Sequence, residues 1–463
     1  MRNMTLEAIT EAVGGKLENT GRCDLTREAS SVVIDSRQVE EGSVFIATKG
    51  ERVDGHDFID SAFKSGALGV ICEKALPKAK GPYILVEDSF AAIRQLAAYY
   101  RRQMSVKIVG VVGSVGKTST KEIIASVLSA HFEVLSTEGN FNNEVGVPLT
   151  IFRIRDGHEI AVVEMGISDF GEMDRLGEIV KPDIVVFTNI GPCHLECLGD
   201  LEGVLRAKSE IIKHVSADGI LVINGQDEML SKIDDRTAEG RKIVRYGKES
   251  KRDDVYASSI ENLGLDGSKF TANFPDGSHY EMTIPLPGYH MVDNAVAAAA
   301  VGFLTGENLE EIRRGMSDSR TLSGRGHIIH ASNYTIVDDC YNANPRSMCA
   351  AIDTLGYALT RKVAILGDMF ELGEEAENLH AEVGEYAAVH GVDSLIFVGT
   401  LAKFMYERAR VFEGVEIRYY PNKELLLAAL SDTTKDILRD KDTILVKASH
   451  GMGFSEVVEF LNR

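Results

Sequence analysis

The stretch GVVGSVGKTSTKEI, residues 110–123, constrains the fold of this chain more than any other. The apolar run KIVGVV (107–112) leads into it, and a helix is expected from about Lys117. Strand, glycine turn, helix is the setting in which a backbone cradles phosphate. Glycines let N–H groups approach the anion, and the helix N-terminus adds partial positive charge. The usual spacing is glycine, four residues, then Gly-Lys-Ser/Thr. Counting back from Gly116 puts that first glycine at 111, where the chain has Val111; glycines stand instead at 110, 113 and 116. Lys117 is expected to reach the β- and γ-phosphates, and Thr118 to offer a hydroxyl to Mg²⁺. The competing reading is a glycine turn with no ligand.

The rest of the chain fits an α/β protein built around that loop. At 463 residues it is too long for one ordinary domain. Residues 1–103 read as a mixed α/β N-terminal domain, with a strand in SVFIAT (43–48) and a helix in FAAIRQLAAYYRRQ (90–103). Residues 104–320 read as a central doubly wound parallel-sheet domain, with further strands at IAVVEM (160–165), DIVVFTNI (183–190) and GILVIN (219–224). Asp-Gly turns at 266–267 and 276–277 read as a small antiparallel insert. The Ala-rich helix NAVAAAAVGFL (294–304) closes this segment. Residues 321–463 read as a second, Rossmann-like α/β domain, with strands in YTIVDD, KVAILGD, SLIFVG and TILVKAS.

Charge narrows the partners. Lys plus Arg number 50 and Asp plus Glu 70, a net −20, which argues against nucleic acid or an anionic membrane surface as main partner. No run of about 18 apolar residues offers a membrane span, and the N-terminus lacks the apolar core of a signal peptide. A cytoplasmic monomer is expected. Six cysteines (23, 72, 193, 197, 340, 349) are scattered rather than arranged as a disulfide framework. CHLEC (193–197) crowds its thiols and histidine into one short turn, with no second cysteine pair at zinc-finger spacing.

In open α/β sheets ligands gather at the carboxyl ends of strands. Glu164 ends IAVVE and His194 follows DIVVFTNI, so both fall on the edge of the glycine loop. They are candidate Mg²⁺ ligands, although Mg²⁺ prefers oxygen; His194 also reads as a hydrogen-bonded loop histidine. In LEGVLRAKSEIIKHV the apolar positions 201, 204, 205, 211, 212 and 215 form a helical stripe, and position 208, a lysine, completes it. Two readings stand. The amine snorkels to the helix edge, or it is buried, loses its proton readily and adds carbon dioxide to give a metal-binding carbamate.

Together these residues resemble the Mur ligases, ATP-dependent amide ligases of peptidoglycan precursor synthesis, over nearly the whole chain. GSVGKTS (113–119) is similar to their ATP loop, which carries the same shifted glycine; VVEMG (162–166), GPCHLE (191–196) and RAKSEII (206–212) resemble their metal and carbamylated-lysine motifs. PLPGYHMVDNAVAAA (285–299) resembles the adenine-holding segment. DSRQVEEGSVFIATKG…DGHDF (35–58), GNFNNEVGVPLT (139–150), DDCYNANPRSM (338–348), LGDMFELG (366–373) and KASHGMG (447–453) point within the family to the branch that adds D-alanyl-D-alanine to UDP-MurNAc-tripeptide.

The resemblance implies two Mg²⁺ ions, held by Thr118, Glu164, His194 and carbamylated Lys208, with Lys117, Lys208 and His194 catalytic. It implies ATP contacts from Gly113, Ser114, Val115, Gly116, Lys117, Thr118, Ser119, His290, Asn294, Arg325 and Asp339. It implies substrate contacts from Ser36, Arg37, Asn140, Asn143, Tyr341, Asn342, Asn344, Lys447 and Ser449. Ser36 and Asn143 read equally well as turn or cap residues. His450 departs from the arginine expected in the last motif, and Met291 and Asp293 depart from the adenine segment. Another amide ligase of this fold, such as a different Mur ligase or a folylpolyglutamate synthase, is the alternative. A nucleotide-binding switch is the rival of a different class; a GTPase would need an Asn-Lys-x-Asp motif, which is absent.

Overall fold

The computed structural model describes all residues except 22–23, 51–52, 249–250 and 433–435. Cys23 and two positions of the 35–58 signature therefore lie outside the described residues. Three sheets organise the rest. The first has five short strands in the order Lys16–Glu18, Tyr83–Leu85, Gly69–Cys72, Val44–Ile46, Val32–Val33. All pairs are parallel except the outermost, Lys16–Glu18 with Tyr83–Leu85. The helix expected near 90–103 is Ser89–Arg101, capped by Asp88, which accepts from the Phe90 and Ala91 N–H groups.

The central sheet has nine strands. Seven run parallel in the order Val134–Ser136, Ile160–Glu164, Lys107–Val112, Ile184–Phe187, Ile220–Asn224, Lys242–Lys248, Val255–Asn262. Ser268–Asn273 and His279–Ile284 then continue the same sheet antiparallel. The antiparallel insert read from the Asp-Gly turns is present, and it forms the far wing of the main sheet. The reason is a shared core. Val255, Ala257, Phe270, Ala272, Met282 and Ile284 face one cluster with the alanines of helix Met291–Thr305. Residues Ala295 to Ala300 of that helix, Val296 included, are fully buried. Such small side chains let the helix lie close to helix Lys117–Leu128, which the phosphate loop begins.

Strand register sets the site. Val111 pairs with Glu164 and Val112 with Phe187, so the three central strands end together on one edge. The third sheet has six strands, in the order His327–His330, Thr335–Asp338, Thr443–Lys447, Lys362–Gly367, Ser394–Val398, Glu416–Tyr420. Only the first pair is antiparallel. Among the described residues no helix is long and apolar enough to cross a membrane.

Glu307, just past the end of helix Met291–Thr305, is 5% exposed, and neither carboxylate oxygen has a hydrogen-bond partner. Burial pushes its pKa up to about 7, with Glu311 adding to the shift and His131 and Arg314 opposing it. From the ordinary 4.5 up to about 7 the folded protein holds a proton that the unfolded chain has lost. Stability therefore falls as pH rises through that window. Glu307→Gln, neutral and nearly isosteric, is expected to match the wild type below the window and to exceed it above. Urea denaturation on both sides of the window measures this.

Candidate active site

Residues Gly113–Gly116 form the loop, gripped from below by the turn that follows strand Ile184–Phe187. The Ser114 N–H donates to the Asn189 carbonyl (2.9 Å), and the Val115 N–H to Asn189 Oδ1 (3.1 Å). The Val115 carbonyl accepts from Thr188 Oγ1 (2.7 Å) and Asn189 Nδ2 (3.0 Å). Ser114 Oγ donates to the Gly191 carbonyl and accepts from its N–H. This grip explains the displaced glycine. Val111 is still inside the strand, so it needs no special conformation. Gly113 is where the chain leaves the strand, and a side chain there would overlap the Thr188 hydroxyl. Gly116, at φ 78°, takes the left-handed conformation that starts the helix.

Lys117 Nζ donates to the Gly113 (2.9 Å) and Ser114 carbonyls, and burial lowers its pKa, opposed by Glu164. Asn294, buried, lies beside Gly116, and its amide donates to Met291 Sδ (3.4 Å). Met291 thus orients Asn294. Asp293 pairs with Lys248 (2.8 Å), which also lies over the Tyr289 ring. Burial, with the charges of Lys248 and Lys447, pushes the His290 imidazole down to about 4, so it is neutral at physiological pH.

Thr118 is buried at the start of the helix, and Glu164 is 1% exposed. Asn142 Nδ2 donates to Glu164 Oε1 (2.7 Å), while Oε2 is buried with no hydrogen-bond partner. A buried carboxylate oxygen without a partner is costly in a finished fold. It fits a hard, oxygen-preferring cation such as Mg²⁺. Among the described residues no group of three His, Cys, Asp or Glu side chains could hold a metal unaided. A cation here would complete its shell from phosphate and water, as Mg²⁺ does at nucleotide sites.

His194 has φ 50° and precedes the short helix Leu195–Leu198. Its Nδ1 lies 3.1 Å from Glu371 Oε2, on the C-terminal side of the cleft. Burial, Lys208 and Lys117 lower its pKa against the pull of Glu371. The expected stripe is a helix at Leu201–Ser209 continued by a 3-10 segment, Glu210–His214. Val204, Leu205, Ile211, Ile212 and Val215 are buried as read, whereas Leu201 is exposed. Lys208 is 1% exposed, so it does not snorkel. Burial pushes its amine down to about 8, Lys117 adding to the shift and Cys193 opposing it.

The third sheet supplies the opposite wall. Lys447 Nζ donates to Asp339 Oδ2 (2.6 Å) and to the Asn342 carbonyl (3.0 Å). Burial raises the Asp339 pKa, with Lys447 countering. The Tyr341 ring has the Arg325 guanidinium over it at 4.0 Å and the His450 ring tilted against it at 5.0 Å. Asn344 caps helix Pro345–Gly356 in a capping box with Ser347.

One cavity of about 660 Å³ joins the two walls. Of the residues singled out in the sequence, Ser114 to Ser119, Asn140, Asn143, Glu164, His194, His290, Asn294, Arg325, Asp339, Tyr341, Asn342, Asn344 and Lys447 line it. Four do not. Lys208 lies behind the surface. Ser449 is buried, its hydroxyl accepting from the Phe370 N–H (2.9 Å). Ser36 and Arg37 belong to the first sheet's domain, where Arg37 pairs with Asp35. Asn143 also serves as a cap, its Oδ1 accepting from the Val145 and Gly146 N–H groups. Sequence reasoning missed Asn142, Asn189, Arg346 and Glu371. All four lie inside stretches already quoted, but each acts through partners distant in sequence.

A phosphate loop, a buried carboxylate and a facing second α/β wall define a three-sheet protein that handles a nucleotide across a cleft. Family models for the Mur ligase family catalytic domain, the Mur ligase middle domain and the Mur ligase glutamate ligase domain match residues 28–101, 111–302 and 324–450. The UDP-N-acetylmuramoyl-tripeptide–D-alanyl-D-alanine ligase of Bacillus subtilis (strain 168) is 36% identical, over 100% of this chain and 99% of that protein. A crystal structure of MurF from Acinetobacter baumannii superposes with a TM-score of 0.90 at 31% identity, covering 99% of both chains. The MurF ligase from Thermotoga maritima in complex with ADP gives 0.81 at 30% identity, covering 93% of this chain and 97% of that one. This chain belongs to the Mur ligase family.

The loop geometry makes a sharp prediction. Gly113→Ala drives a methyl into Thr188 and breaks the grip on the loop, so nucleotide affinity is expected to fall about 10-fold or more, a loss of about 1.4 kcal/mol. Calorimetric titration with ADP checks this. Circular dichroism checks that the fold survives.

Proposed function

We propose that this chain is the ATP-dependent ligase that joins D-alanyl-D-alanine to UDP-N-acetylmuramoyl-tripeptide, releasing ADP and phosphate. The observation that carries the reading is the single cavity lined by the phosphate loop, by Glu164 with its unpartnered oxygen, and by Arg325 to Lys447 opposite. Full-length similarity to ligases of that name supports the same substrates.

A carboxylate is a poor electrophile. Transfer of the γ-phosphoryl group of ATP to the tripeptide carboxylate turns one of its oxygens into a leaving group. The dipeptide amine then attacks the acyl carbon, and the C–O bond to phosphate breaks as the amide forms. Lys117 and the N–H groups at the start of its helix orient the phosphates and offset charge that develops on them. His290 and Asn294 hold the adenine, and Arg325 and Asp339 meet the nucleotide from the second wall. Asn140 and Asn143 position the muramoyl peptide, and Ser36 and Arg37 the uridine diphosphate. Tyr341, Asn342, Asn344, Lys447 and Ser449 shape the dipeptide side, Ser449 from behind the surface. Thr118 and Glu164 would hold one Mg²⁺, and His194 with a carbamate on Lys208 a second, ions that would neutralise the two anions being joined. The wall formed by the third sheet keeps water from an acyl phosphate that it would hydrolyse.

We assign residues 1–103, 104–320 and 321–463 to three domains, on the strength of the three separate sheets. Free cysteines at 72, 193, 197, 340 and 349 suit a reducing compartment, and we place the reaction in the cytoplasm.

Substrate dependence tests the reading. ADP release is expected with UDP-MurNAc-tripeptide plus D-alanyl-D-alanine, and none with free L-lysine, diaminopimelate or glutamate. A response to a free amino acid moves the chain to another step of the family.

The lysine is tested separately. Lys208→Met keeps the apolar packing and is expected to stay folded yet lose activity by about 100-fold or more. Lys208→Ala is expected to lose as much and to regain part of it in a small carboxylate such as formate. Full activity of Lys208→Met rules out the carbamate.

A further inference from the structure

Lys121 is a second lysine on the phosphate-loop helix, one turn beyond Thr118. It is fully buried. Its ammonium pairs with Glu122 Oε1 (2.6 Å) and donates to the Thr137 carbonyl, at the end of strand Val134–Ser136. Thr137 in turn accepts from the Glu164 N–H through its Oγ1 (3.1 Å), and its own N–H donates to the Val162 carbonyl (3.0 Å). Beyond Thr137 the chain enters the loop that carries Asn140, Asn142 and Asn143. Asn142 returns to Glu164 Oε1 and through its carbonyl accepts from the Gly166 N–H (2.8 Å). A continuous set of hydrogen bonds thus runs from the helix of Thr118 through Lys121 and Thr137 to Glu164.

A buried cation is expensive, and an apolar side chain of the same shape would pack here at lower cost. What an apolar residue would not do is hold a carbonyl on a neighbouring strand at a set distance from the helix. Thr118 and Glu164 come from different elements, and oxygen ligands of a small octahedral cation tolerate little error in spacing. We propose that Lys121 is a positioning residue: through Thr137 it sets the separation of Thr118 and Glu164, and so the affinity of the site for metal-bound nucleotide. The inference rests on the reading of Thr118 and Glu164 as the oxygen ligands of a nucleotide-bound Mg²⁺.

The test is calorimetric titration of the full chain with a non-hydrolysable ATP analogue, in excess Mg²⁺ and again in EDTA. Lys121→Met, which fills the same volume without the charge, is expected to weaken binding about 10-fold or more in Mg²⁺. Binding in EDTA should remain within about two-fold of wild type, since the loop itself is untouched. Equal losses in both titrations, or no loss in either, overturn the proposal; the first outcome would make Lys121 a purely structural residue. Should Lys121→Met fail to fold, Thr137→Val decides. It removes only the hydroxyl that holds the Glu164 N–H, and it is expected to show the same Mg²⁺-selective loss; its absence overturns the proposal. A wild-type protein that binds the analogue equally well with and without Mg²⁺ would instead sink the metal reading of Thr118 and Glu164.

Discussion

The grip of Thr188, Asn189 and Gly191 on the loop at 113–116 is the interaction on which the site depends. It joins two adjacent parallel strands at their carboxyl ends through backbone and side-chain hydrogen bonds to Ser114 and Val115, the two central residues of the loop. With Ser114 and Val115 held from below and the Gly113 and Ser114 carbonyls held by Lys117, the loop and the following helix keep one shape, and the helix N-terminus keeps one direction. Phosphate recognition by backbone N–H groups requires that rigidity, because mobile donors must be ordered at an entropic cost when an anion binds.

Electrostatics complete the arrangement. The chain carries a net −20, yet Lys117, Arg325, Arg346 and Lys447 all line one cavity, with Lys208 just behind it. An acidic protein that gathers cations in a cleft is suited to anionic small molecules rather than to a polyanion spread over its surface. The cations differ in their commitments. Lys447 is paired with Asp339, Arg325 lies over Tyr341, and Arg346, half-exposed, reaches toward Asp227 across the cleft at 3.7 Å. The His194–Glu371 pair and the Arg346–Asp227 pair both join the central and C-terminal walls, so the two sides meet through charges rather than through an apolar seam. Such contacts suit domains that separate and close around substrates.

Much of this was legible in the chain. Buried parallel strands are apolar along their whole length, which is why KIVGVV, IAVVE and DIVVF stood out, and why Glu164 at the end of one of them drew notice. The stripe around Lys208 was readable because helical periodicity is local. Its outer end was not: Leu201, the first residue of the helix, is exposed although Gly203 and Val204 in the same turn are buried. The antiparallel hairpins were legible from their Asp-Gly turns, but their place as the edge wing of the central sheet was not. Hairpin turns have a sequence signature, but which strand a hairpin joins depends on distant partners, here the alanine face of helix Met291–Thr305.

By itself the sequence determined a phosphate loop at the end of a parallel strand, two α/β sheets beyond the N-terminal one, and the family to which those motifs belong. All are local patterns, written in residues close together in the chain. Only the tertiary structure decided that Gly113 is needed because Thr188 lies beneath it. It alone decided that Lys208 is buried rather than snorkelled, that Ser449 supports the cleft from behind, and that Arg346 and Glu371 span it. Each of these depends on contacts between residues tens to hundreds of positions apart, and such contacts are fixed by the packing of whole sheets and helices, which leaves no local trace in the chain.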